Sequence, residues 1–205
     1  MSAQKDIQHA FKWILQVYAE ASALLEDAQS MAEEMGYRAR GGVATGYTTV
    51  LRADEFPFVY LAVLFFAPDA SAEKEQEAGQ RLFLAIDFHS HLRAGPHLLL
   101  GAVRHSSLAR VNRDLINETA RLHGYNGYSF TTKKPTGGKV TYVHTPVPKA
   151  KTYAGVDEVR HVEIPLTFVD SPDKLRSVLA AASSLLDGDE GPARALVEES
   201  RAGGV

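Results

Sequence analysis

The stretch FPFVYLAVLFF, residues 56–66, decides the fold class. It is apolar at consecutive positions, so both faces of an extended chain are hydrophobic there, as in a central strand covered on each side. Upstream, residues 43–52 place Val, Thr, Tyr, Thr and Leu on one face of a second extended run, and only Ala53, Asp54 and Glu55 separate the two. So short a connection predicts an antiparallel pair. Downstream, after an acidic and polar segment over 68–80, RLFLAIDFH (81–89) and PHLLLGAVRH (96–105) predict two more strands, turning around Arg93 to Gly95.

Around this meander the pattern changes to helical. Ile7, Phe11, Ile14, Leu15, Tyr18, Leu25 and Ala28 recur at three- and four-residue steps between Lys5 and Met35, with Gly36 placed as a stop. Trp13, Val17, Leu24 and Met31 add a second apolar stripe, wider than one sheet contact needs, which predicts that part of this helix meets a partner. A middle helix is expected from a Ser106 or Ser107 cap through Leu108, Val111, Leu115 and Leu122 to Gly124. The turn chemistry of YSFTTKK-PTGG-KVTYVH predicts a β-hairpin. EVRHVEIPLTFV, 158–169, reads as a last strand, with Pro165 favouring an edge or bulge because proline cannot donate to a ladder. Ser171-Pro172-Asp173 then opens a C-terminal helix carrying Leu175, Val178, Leu179, Ala182 and Leu186.

These signals predict one α+β domain over 1–187, with a mainly antiparallel sheet of about seven strands and N-terminal, middle and C-terminal helices. Residues 188–205, polar and rich in small side chains, are expected to form a flexible tail. Composition narrows the class further. The chain of 205 residues contains no cysteine, which excludes disulfides, thiolate metal sites and a cysteine nucleophile. No basic region leads into an apolar run at the N-terminus, and the longest apolar stretch is shorter than the roughly 20 residues of a spanning helix. A soluble, cytoplasmic protein with no membrane contact is expected.

The net charge of −3 is unevenly spread: residues 101–161 carry 10 basic and 4 acidic side chains, whereas residues 1–100 carry 8 and 13. Within that basic segment, 104–160, the residues Arg104, Lys133, Lys134 and Lys139 are candidate contacts for nucleic acid or a phosphate ligand, with Tyr125, Tyr128, Phe130 and Tyr142 available for stacking. A second candidate is DFHSH. Strand alternation places Asp87, His89 and His91 on one face, a ligand set suited to zinc, iron or manganese, with His105 or His144 as the fourth group. The ordinary reading of both clusters is a solvated surface. PTGGK, 135–139, has Val140 where a phosphate loop needs Ser or Thr, and no GxSxG elbow occurs. Without a catalytic signature, the reading that remains is a non-enzymatic binding or assembly module, a homo-oligomer joined through the first helix. A nucleic-acid or phosphate binder and a metal-dependent enzyme are the alternatives.

Overall fold

In the computed structural model the described residues are 3–39, 44–47, 59–68, 79–88, 95–106, 130–147 and 156–203. A long helix, α1 (Ala3–Glu34), ends where Gly36 adopts φ +83°, a left-handed conformation that costs glycine nothing. The strands follow as β1 (Tyr37–Ala39), β2 (Ala44–Tyr47), β3 (Val59–Pro68), β4 (Gly79–Asp87), β5 (His97–His105), β6 (Phe130–Lys133), β7 (Tyr142–Pro146) and β8 (Val156–Pro165). A 3-10 turn, Leu166–Phe168, leads into α2 (Pro172–Leu186) and α3 (Gly191–Ala202).

All strand pairings are antiparallel, in the order β1-β3-β4-β5-β8-β7-β6, with β2 also on β3. The protein is thus α+β with an antiparallel sheet. Four long strands of 9 or 10 residues, β3, β4, β5 and β8, carry it. Short segments complete a described sheet of eight strands, correcting the expected count of about seven. The difference arises beside β3, where β1 and β2 take successive stretches of the same edge. The expected middle helix and the short 53–55 turn lie outside the described residues.

Alternation gives the sheet two inner faces. Leu82, Leu84, Ile86, Leu98, Leu100, Val162 and Ile164 point to the side on which Leu25, Leu175, Leu179 and Leu185 of the helices pack. Phe83, Ala85, Leu99, Val103 and Val159 are buried on the opposite side. Gly101 sits across from Phe83 on this second face. A Cβ there would stand 2.2 Å from the Arg160 carbonyl oxygen and 2.6 Å from the Phe83 ring, so only glycine lets that ring lie across β5.

Two expectations about the C-terminal third are corrected. β8 lies between β5 and β7 and is not an edge strand; Pro165 is accommodated because it is the last residue of the strand. The segment 188–205 is not a flexible tail over its length. Asp189 Oδ1 accepts from the Gly191 N–H at 2.8 Å, Pro192 fits the first turn, and α3 buries Ala193, Leu196, Val197 and Ser200 along one face. Burial of side chains such as Leu196 and Val197 contributes roughly 1.5–3 kcal/mol each, enough to dock a short helix whose composition alone looks unstructured. Ser171 caps α2 as expected, its Oγ accepting from the Lys174 N–H at 3.4 Å.

Candidate functional site

The most organised polar group lies on the second face of the sheet. On β8 the pattern His-Val-Glu puts His161 and Glu163 on that face, two positions and roughly 7 Å apart along the strand. The β7–β8 register places Tyr142 directly opposite His161 and His144 opposite Val159, one step diagonally away. Tyr142 stacks on His161 with ring centroids 5.2 Å apart and 12° between planes. His144 Nε2 and His161 Nδ1 are 3.1 Å apart, and His161 Nε2 and Glu163 Oε1 also 3.1 Å. Both histidines are fully buried and the Glu163 side chain is 5% exposed.

With Glu163 ionised and His161 neutral, hydrogen-bond valence sets the tautomers in this chain. An ionised carboxylate only accepts, so His161 Nε2–H donates to Glu163; a neutral imidazole then has only its Nδ1 lone pair left, and His144 Nε2–H must donate to it. His144 Nδ1 carries the remaining lone pair. Orientation of one imidazole by a second group that is itself held by a carboxylate is the arrangement used for acid–base work and for presenting histidines to metals.

The predicted residues fall elsewhere. Asp87 ends β4, directly opposite His97 of β5; His89 and His91 lie outside the described residues. His97 Nδ1–H donates to the Gly95 carbonyl oxygen at 2.8 Å. Among the described residues no three His, Asp or Glu side chains are placed to hold a metal ion. Of the two expected fourth ligands, His144 is committed to His161. His105 is buried with Nδ1 lacking a hydrogen-bond partner, and burial, reinforced by Arg81 and opposed by Asp157, pushes its pKa below 6.5.

Lys133, Lys134 and Lys139 are all exposed around the β6–β7 turn, where Gly137 and Gly138 take positive φ. Arg104 does not join them. It lies on β5, separated from β6 by β8 and β7, and faces Glu158 at 3.6 Å, a carboxylate that also pairs with Arg160. Tyr142, expected as a stacking surface for bases, instead stacks on His161.

On α1, Ala21, Leu25, Ala28 and Ala32 are buried, and no described side chain before Ala21 is. The stripe continues towards the N-terminus through Ile14, Val17 and Tyr18, which are only half-buried. Tyr18 makes an edge contact with Phe88 at 5.2 Å. Trp13 and Leu15 flank the stripe at 67% and 66% exposure. Leu24 and Met31, the other half of the expected second stripe, pack against the core of their own chain.

His161 and Glu163 were absent from the sequence candidates. The H-x-E alternation inside EVRHVEIP would have put them on one face, but nothing local announces that His144 is their neighbour. The chain matches no known protein family, no characterised protein and no solved structure. No helix among the described residues is long and apolar enough to cross a membrane.

Proposed function

We propose that the protein is a binding and assembly module working through the first half of α1. The observation that carries this reading is the change in burial along one helix. The apolar line that is buried from Ala21 onward is half-covered before it, and Trp13 and Leu15 stand exposed on its two flanks. Contiguous apolar surface of this kind marks an interaction site more often than it marks an isolated surface residue. The absence of cysteine supports a cytoplasmic setting.

Sedimentation of the full chain at tens of micromolar tests the reading, with Trp13→Asp and Leu15→Asp as comparison. Association of the parent chain that is lost in both variants, at unchanged unfolding midpoint, is expected. A monomeric parent would remove the reading.

The buried Glu163–His161–His144 chain favours a second reading, an acid–base centre in which Glu163 orients His161 and His161 orients His144. Two-bond proton–nitrogen NMR spectra of the imidazoles report the tautomers directly. Protonation of His161 at Nε2 and of His144 at Nε2 is expected; the opposite tautomer at His144 would end this reading.

A further inference from the structure

We infer that the tip of the β6–β7 hairpin binds the phosphodiester backbone of duplex nucleic acid, a second binding surface independent of α1. The distribution of charge is the first reason. Between Glu118 and Asp157 no acidic residue occurs, whereas Arg121, Lys133, Lys134, Lys139, Lys149 and Lys151 are basic, in a chain whose net charge is −3. Lys133, Lys134 and Lys139 stand exposed at the tip of the hairpin within this run. Elsewhere Arg104 and Arg160 share Glu158, Lys174 pairs with Glu199, and Arg176 with Glu34. None of the three hairpin lysines has a carboxylate partner among the described residues. On the neighbouring β8, Glu158 is held by the two arginines and Glu163 by His161. Clustered lysines without carboxylates repel one another, and phosphates that neutralise them release the counterions condensed on a nucleic acid.

The shape of the hairpin selects the partner. β6 and β7 pair from Phe130 opposite Pro146 to Lys133 opposite Val143, and Lys139 N–H closes the turn by donating to the Thr136 carbonyl oxygen at 3.2 Å. Gly137 and Gly138, at φ +61° and +80°, supply the left-handed backbone which that turn needs. The result is a two-stranded ribbon, an element that the major groove of a B-form duplex admits. Lys133 and Lys134 belong to one arm and Lys139 to the other, so the ribbon offers cations to both walls of a groove. Nothing at the tip reads bases: Tyr142 is stacked on His161, and the other exposed residues described over 131–139 are threonines and glycines. Contact is therefore with phosphates and carries no sequence preference. The same composition leaves the tip no exposed apolar side chain to bury in a lipid surface.

Fluorescence anisotropy of a labelled random-sequence DNA duplex, titrated with the full chain from about 50 to 200 mM salt, is expected to show binding that weakens as salt rises. Replacing Lys133, Lys134 and Lys139 together by alanine should weaken it at least about tenfold at the lowest salt. The slope of log affinity against log salt should flatten by up to about 2.7, at about 0.9 per phosphate contact. All three lysines are exposed, so the variant keeps its fold, which circular dichroism checks. Arg201→Ala, which removes an exposed cation on α3, should bind as the parent does. No binding by the parent at the lowest salt, or an unchanged slope in the triple variant, overturns the site. Tighter binding to the corresponding single strand overturns the ribbon-in-groove geometry, and tighter binding to vesicles of anionic phospholipid overturns nucleic acid as the partner.

Discussion

Replacing Glu163 by leucine removes the acceptor of His161 Nε2–H while keeping the site filled, and the structure sets the size of the effect. His161 is fully buried and Glu163 is 5% exposed at the side chain, so water cannot substitute for the missing carboxylate. A buried donor left without a partner costs about 1–3 kcal/mol. Glu163→Gln retains an amide oxygen that can accept the same bond, so its loss should be about 1 kcal/mol, the net value of one hydrogen bond. For a chain of this size each kcal/mol shifts the midpoint by roughly 2–4 °C, which predicts a fall of about 4–8 °C for leucine and about half that for glutamine. Thermal unfolding followed by circular dichroism gives the comparison. The Glu163→Leu/His161→Leu double variant should lose less than the sum of the two single losses, because the bond between these two side chains can be lost only once, while His144 Nε2–H is left unpaired wherever His161 is removed. Equal midpoints for the leucine and glutamine variants, or additive losses in the double variant, would refute the claim that the three side chains form one hydrogen-bonded unit.

Three further outcomes follow from the packing. Gly101→Ala should destabilise by more than the 1–3 kcal/mol usual for overpacking, because the new methyl meets backbone 2.2 Å away as well as the Phe83 ring; urea unfolding with a loss below about 1 kcal/mol would contradict this. His105 has a folded pKa below the unfolded 6.5, so the unfolded chain takes up its proton first. Its contribution to stability is therefore complete above about pH 6.5 and is lost as pH falls towards the folded value. His105→Leu should lose less stability between pH 7 and pH 5.5 than the parent, and identical pH profiles would contradict the assignment. Leu196→Ala should cost about 2–5 kcal/mol if α3 unfolds together with the sheet, whereas hydrogen exchange showing α3 opening alone, with the rest unaffected, would separate it from the cooperative unit.

Short-range chemistry made much of this molecule legible. Gly36 ends α1 because its left-handed φ suits glycine; Ser171 and Pro172 start α2 because a hydroxyl satisfies one of the orphan N–H groups and proline lacks one to waste. The hairpin of β6 and β7 was readable from PTGG, and the antiparallel meander from the apolar runs of β3, β4 and β5. The same local rules misplaced α3, whose few apolar residues acquire meaning only against a core supplied by α2 and β8.

The amino-acid sequence by itself determined the α+β class, the antiparallel pairing, the stops and caps of the helices and the surplus of apolar side chains at Trp13 and Val17, since these depend on backbone preference and on the periods of helix and strand. Only the tertiary structure decided that Leu24 and Met31 fold inward while Trp13 stays out, that Arg104 belongs with Glu158 rather than with the hairpin lysines, and that His144 meets His161 beside Glu163. Those outcomes depend on which strands become neighbours and in what register. That choice is fixed by burying two faces of one sheet at once, and no local stretch of the chain encodes it.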